Sequence, residues 1–330
     1  MHREDDDRID AAGAVREQTG TAEAGLFDDA SSWLHMPWST VDALVGGIGA
    51  GHVWFVGGFS GHGKTTFLMD LTRRMLHDNR TVYYCGTETV DHELRTRLAC
   101  QRVGVYSGHV LTGATRGWTD WPEIRAKLVT DIRAQRTLGD RERFLVAPVQ
   151  RIAARELTGA FHDAAIQQAD VLIIDHIDHI AHGQGRSGFE DSRMLAHLVL
   201  DLAQSTGIRV IVATQFNNES GRGDRLGTFQ PPQPHYVYMG GHKRQIAWGM
   251  LGLFKPIRDD LTADELKAAR AGKLKPPQFL EPNTMAISVM KHRHYGSHEG
   301  EIVRLRFDKG QLHDLNPRDM RSGDMRGYQR

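Results

Sequence analysis

The most specific chemistry in the chain lies in one run, Gly58-Phe59-Ser60-Gly61-His62-Gly63-Lys64-Thr65, which fits the pattern G-x-x-x-x-G-K-[ST]. Glycines let the backbone wrap tightly, so that its N–H groups can converge on phosphate oxygens. A helix opening at the end of the run adds a favourable dipole for an anion. Lys64 would then lie on the β- and γ-phosphates of a nucleoside triphosphate, and the Thr65 hydroxyl would hold Mg2+. Gly58, Ser60, Gly61, His62, Gly63, Lys64, Thr65 and Thr66 are the candidate nucleotide-binding residues, with His62 read as a variable position in the loop. A nucleoside triphosphate and Mg2+ are the expected ligands.

Acidic and amide residues in other runs suit the same site. Ala169-Asp170-Val171-Leu172-Ile173-Ile174-Asp175 is an apolar strand ending in an acid. A carboxylate there can hold the water shell of Mg2+, so Thr65 and Asp175 are the candidate metal residues. Asp178 reads as a surface or helix-capping acid. His176 and His179 read as loop histidines, because no third ligand accompanies them. In Gly86-Thr87-Glu88-Thr89, after another strand, Glu88 is the candidate general base; the alternative is an acid favoured by a helix dipole. In Thr214-Gln215-Phe216-Asn217, Gln215 can sense a γ-phosphate, or it simply ends a strand.

These groups need a scaffold that brings strand ends together. Apolar runs at residues 53–56, 82–85, 144–146, 171–174 and 210–213 read as strands. Helical patterns separate them: Phe67, Leu68, Leu71 and Met75 share one face, Leu94 and Leu98 another, and residues 154–168 a third. Leu195, Leu198, Val199 and Leu202 mark one more. Uniformly apolar strands alternating with helices predict an α/β fold with a mostly parallel sheet covered on both faces. After Gly249 the pattern turns strand-rich, at 251–254, 285–290 and 301–307, which predicts antiparallel strands at one edge. A charged helical insert at 262–273 interrupts them.

Residues 1–25 are polar and acidic and read as a tail or linker arm with a weakly helical stretch at 9–18. Residues 26–315 form the expected ordered domain, and 316–330 a second tail. Lys and Arg number 41, against 41 Asp and Glu, so any contact with nucleic acid must be local or shared among subunits. The opening Met1-His2-Arg3-Glu4-Asp5-Asp6-Asp7 lacks the apolar stretch of a signal peptide, and no run is long enough to span a bilayer. A cytosolic protein is expected. The two cysteines, Cys85 and Cys100, are too few for a disulfide framework and read as buried thiols.

Taken in order, these pieces resemble the motor domain of DnaB-type hexameric replicative helicases, a family of RecA-like ATPases. Leu44-Val45-Gly46-Gly47-Ile48-Gly49-Ala50-Gly51 resembles the family's approach to the phosphate loop. The Glu88 run is similar to its Glu-containing motif, and Asp175-His176 stands where the family has Asp-Tyr. Thr214-Gln215-Phe216-Asn217 resembles its Ser-Gln-Leu-Asn, and Lys291-His292-Arg293-His294-Tyr295-Gly296 its Lys-x-Arg-Asn-Gly run. The likeness spans residues 27–315.

The resemblance implies a ring, expected to be a hexamer, that hydrolyses ATP between subunits while moving on single-stranded DNA. Glu88, Lys64 and Gln215 would act in one subunit, with Lys291 and Arg293 of its neighbour completing the site. Gly241, His242, Lys243 and Arg244 lie where the family places a pore loop, and Arg186 lies in a second candidate loop. Either stretch can equally be an ordinary loop. The family has acidic residues near the first, where this chain has Lys, Arg, Ile and Trp248. The resemblance also implies a form without the family's N-terminal collar domain, with a primase or a loader as possible partners. A recombinase or annealing ATPase working as a filament is the alternative, and a nucleotide-switched scaffold without DNA a third reading.

Overall fold

Strand β1 (Val53–Gly58) is buried along its whole length, which places it inside the sheet. It belongs to a computed structural model that describes residues 33–135, 142–148, 153–178, 188–217 and 226–315. The further strands are β2 (Val82–Gly86), β3 (Phe144–Pro148), β4 (Val171–Asp175), β5 (Arg209–Gln215), β6 (Gly249–Phe254), β7 (Thr284–His292), β8 (Ile302–Asp308) and β9 (Gln311–Asp314). The described strands form one nine-stranded sheet in the order β3-β2-β4-β5-β1-β6-β7-β8-β9.

The parallel part extends further than the sequence suggests. β6 pairs with β1 in parallel, and the antiparallel pairs start only at β6–β7. Residues 251–254 therefore belong to the parallel sheet and not to an antiparallel edge. Strand direction is set by how the chain returns across the sheet, and an apolar run carries no mark of it. β9 is an added strand that the sequence pattern missed.

Helices α1 (Ser39–Val45), α2 (Lys64–His77), α3 (Asp91–Val103), α4 (Ser107–Thr112), α5 (Trp121–Ala134), α6 (Ala154–Ile166), α7 (Gly188–Thr206), α8 (Gly240–Ile246) and α9 (Ala263–Arg270) pack around it. Side chains alternate along each inner strand, so two cores form. Trp54, Val56, Tyr84 and Ile173 face α1 and α2 through Trp38, Phe67 and Leu68. Val53, Phe55, Cys85, Leu172 and Ile174 face α6 and α7 through Phe161, Leu195 and Val199. Burying such a side chain contributes about 1.5–3 kcal/mol, which makes these two layers the rigid support of the strand ends. Asp70 of α2 is fully buried and holds Arg73 at 2.7 Å, Arg74 at 3.2 Å and the Leu312 N–H at 3.0 Å, so α2 is tied to β9.

Cys85 and Cys100 are both buried free thiols, and burial pushes their pKa values up to about 12 and about 11. The tails at 1–25 and 316–330, His179 and the loop at 183–188 with Arg186 lie wholly or almost wholly outside the described residues; only Gly188, the first residue of α7, is described.

Candidate active site

β1 delivers its last residue, Gly58, to the carboxyl edge of the parallel strands, and the chain turns there before α2 begins. Gly61 (φ 76°) and Gly63 (φ 92°) adopt left-handed backbone that a side chain would strain. At Gly63 a Cβ would also lie 2.5 Å from the Met285 side chain. Lys64 is buried, and its Nζ donates to Gly58 O at 2.8 Å and to Phe59 O at 3.3 Å. Burial lowers its pKa, and Asp175, Asp178 and Glu88 partly oppose that. Thr65 Oγ1 donates to Asp175 Oδ2 at 2.9 Å, which brings the two expected metal residues together. The same carboxylate oxygen accepts from Tyr84 OH at 2.7 Å. Burial first, and then Asp175, hold the Tyr84 phenol well above its ordinary pKa, so it stays a donor.

Ser60 and Gly61 are exposed at the tip of the loop, and Thr66 is half-buried beside it. His62 is closed off from solvent. Its ring is buried edge-on to Phe59 at 5.6 Å and stacked on Phe229 at 5.6 Å. Burial, with Lys255 and Lys64 nearby, lowers its pKa to about 4, so it packs as a neutral aromatic wedge. Gly61, His62, Gly63, Thr66, Asn283 and Met285 help to line an adjoining cavity of about 350 Å³.

Register brings the other groups to the same edge. Gly86 of β2 lies opposite Asp175 of β4, and Gly58 of β1 opposite Gln215 of β5. The Thr87 N–H donates to Asp175 O at 2.9 Å, and the His176 N–H to Thr87 Oγ1 at 3.0 Å. The Asp175–His176 peptide is cis. These bonds place Glu88 Oε1 3.1 Å from His176 Nε2 and the Gln215 amide 3.0 Å from the same nitrogen.

One sequence expectation is sharpened here and one corrected. His176 does lie in the loop after β4, but it is buried there as a hub. Burial lowers its pKa, but hydrogen bonds and charge from Asp178 and Glu88 outweigh that and raise it. Asp178 is not a surface acid: its side chain is 5% exposed and ion-paired with Lys243. Burial pushes the Asp178 carboxyl up, while Lys243 and hydrogen bonds from His176 and the Gln215 N–H overcome this and hold it at about 2. Polar residues directly after an apolar strand were the available signal for both. The partner of Asp178, 65 residues away in sequence, had none.

Lys243 is also a correction. The sequence reading put it on nucleic acid, but its side chain is 1% exposed and points inward onto Asp178, Tyr238 O and Thr214. Of its neighbours in α8, Gly241 and Arg244 are exposed, and His242 is half-buried with its ring 4.7 Å from that of Phe189.

Lys291 and Arg293 lie elsewhere. β7 runs against β6, so His292 at its end pairs with Gly249, and Gly249 lies beside Trp54 at the start of β1. Four residues of β1, about 13 Å, separate that level from Gly58. The two cations therefore sit at the amino edge of the parallel strands, away from this chain's own loop at 58–65. Lys291 Nζ donates to Arg244 O and to Ala247 O at 2.7 Å. Its pKa is lowered by burial first, then by Arg293 and Arg244. Arg293 is exposed and lies over the Trp248 ring at 5.0 Å, and Trp248 stacks on His52 at 3.5 Å.

Residues 34–226 match the family model described as DnaB-like helicase C terminal domain. The fold is similar to a solved structure described as an ATPase domain (TM-score 0.69, 16% identity, covering 94% of this chain and 100% of that one). It is equally similar to a structure titled as a DnaB-like replicative helicase and its interactions with primase (TM-score 0.69, 15% identity, 90% of this chain and 67% of that one). No curated protein sequence matches. Among the described residues no helix is long and apolar enough to cross a membrane.

Proposed function

The chain belongs to the DnaB-like helicase C-terminal domain family, ATP-hydrolysing helicases of RecA-like fold, and we propose that it works as a ring motor that moves along single-stranded DNA during replication. The observation that carries this reading is the separation of the reacting groups. Lys64, Thr65, Asp175, Glu88 and Gln215 gather at one edge of the sheet, while Lys291 and Arg293 stand at the other. A triphosphate gripped at the first edge can meet those cations only if a second copy presents its opposite edge.

In this mechanism Lys64 binds the β- and γ-phosphates. Glu88, oriented by His176, accepts the proton of the attacking water. Gln215 contacts the γ-phosphate, and Arg293 and Lys291 of the neighbouring copy stabilise charge on the transferring phosphoryl group. The hard oxygens of Thr65 and Asp175 suit Mg2+, which would neutralise phosphate charge there. Among the described residues no group of three His, Cys, Asp or Glu could hold a metal ion, so phosphates and water would complete its shell. The cavity lined by Asn283 and Met285 is placed to take the nucleotide's base or sugar. Gly241, His242, Arg244 and the loop with Arg186 are the proposed contacts to the DNA backbone. A hexamer is the proposed assembly, and a primase or a loader is a fitting partner.

The test is strand displacement from a forked duplex, with ring size read from native mass and electron microscopy. ATP-dependent unwinding by closed rings, lost in Lys64→Ala, is expected. Continuous filaments on single-stranded DNA without unwinding would favour a recombinase, and ATP hydrolysis indifferent to DNA would favour a nucleotide-switched scaffold.

A further inference from the structure

We propose that Asp178 and Lys243 form a buried strut that couples the γ-phosphate end of the site to helix α8, a role in which both are positioning residues. The inference rests on the motor reading above. Burying two opposite charges is expensive, and an apolar pair of similar volume is often at least as stable. The reason to keep this pair lies in what it connects.

On one side, Asp178 Oδ2 accepts the backbone N–H of Gln215 at 2.6 Å and the Thr214 hydroxyl at 3.0 Å. It also lies 3.6 Å from Nδ1 of His176, the ring that holds Glu88. Both residues expected to face the γ-phosphate therefore lean on one carboxylate. On the other side, Lys243 belongs to α8, and all three of its ammonium protons have acceptors: Asp178 Oδ1, Tyr238 O at 2.9 Å and Thr214 Oγ1 at 3.2 Å. The far end of α8 is also held, since the carbonyls of Arg244 and Ala247 accept from Lys291.

Helix α8 is thus pinned at its middle by the strut and at its end by a cation meant for the neighbouring copy. A displacement of Gln215 or His176 as the γ-phosphate arrives or leaves moves Asp178. A charge-assisted contact with no slack passes that motion to α8 as a rigid body. The exposed Gly241 and Arg244 move with it, and so does the seat of Lys291. Burial explains why the side chain of Lys243 contributes to this motion from inside and not as a DNA contact.

The test compares ATP hydrolysis with and without single-stranded DNA in the wild type, in Lys243→Arg and in the double variant Asp178→Asn/Lys243→Met, which leaves no lone buried charge. We expect the stimulated-to-unstimulated ratio to fall about ten-fold in the double variant, a typical size for coupling between two sites. KM for ATP should move less than about two-fold, and Lys243→Arg should keep most of the ratio. A pair that only stabilised the fold would lower the melting temperature without changing that ratio. A folded double variant with a wild-type ratio would overturn the strut. Should the double variant not fold, amide hydrogen exchange of the wild type decides: a non-hydrolysable triphosphate is expected to slow exchange across residues 240–247, and unchanged exchange there would overturn the coupling. A wild type that hydrolyses ATP but does not respond to single-stranded DNA would instead overturn the motor reading, and the strut with it.

Discussion

The two edges of the parallel sheet hold their charges in opposite ways. At the carboxyl edge most side chains lean on one another: Thr65 and Tyr84 on Asp175, Glu88 and Gln215 on His176, Asp178 on Lys243. Most of these partners are buried, and the loop that precedes them is shaped by glycines that no other residue replaces without strain. At the amino edge Arg293 is exposed, rests on an indole and reaches only the Gln245 carbonyl, at 3.5 Å, while Lys291 is tied to backbone carbonyls. A closed network suits a group that must be in place before the substrate arrives. An exposed guanidinium on an aromatic platform suits a group completed by a surface that comes from outside. The contrast is between a pocket and a key.

If that contrast is right, Arg293→Ala should have the largest effect, lowering kcat about 10³-fold, as loss of a cation supplied in trans does elsewhere. Mixing it with Lys64→Ala protein should recover part of the activity, because some interfaces then pair an intact loop with an intact cation. No recovery in the mixture would show that both edges act within one chain. Lys64→Ala alone should cost about 10²–10³-fold in turnover, read in the same assay at saturating ATP.

The buried side makes a further prediction about acid. The Asp178 carboxyl is held at about 2, below its ordinary 3.8. A depressed carboxyl stabilises the fold above its unfolded pKa and loses that contribution as pH falls through the folded value. Roughly 2 kcal/mol of stability should therefore disappear between about pH 4 and pH 2, measurable by denaturant titration at each pH. Asp178→Asn should flatten that slope, and an unchanged slope would mean that the pair does not hold its charge. His176 works in the other direction: its raised pKa favours the folded state below its ordinary 6.5, and this advantage is lost as pH rises through the folded value. The smallest effect belongs to the platform. Trp248→Ala removes a cation–π contact of about 0.5–1 kcal/mol and should lower kcat about two- to five-fold with KM little changed. A loss as large as that of Arg293→Ala would mean that the indole does more than carry the guanidinium.

Much of this site was legible because its chemistry depends on short spacing. Gly58 to Thr66 lie within one turn and one helix start, so their order in the chain is also their order in space. Asp175, Glu88 and Gln215 were each found by a simpler rule, that a polar residue after an apolar strand ends up at the carboxyl edge. Strand type and helix faces were readable for the same reason, since both are local periodicities. The misreadings share one cause, a partner far away in sequence. Lys243 reads as a nucleic-acid contact because its run lies where the resembling family has a pore loop, and Asp178 reads as a cap, because neither residue's sequence neighbourhood shows the other, 65 residues away.

Local composition and spacing were enough to predict an α/β chain and to single out one run suited to cradling phosphate, because a backbone that cradles phosphate demands particular residues at particular intervals. Folding settled which groups share an edge, the parallel direction of β6 and the burial of the Asp178–Lys243 pair. Those depend on register and on contacts between residues far apart in the chain, and a buried charge takes its role from the partner that neutralises it.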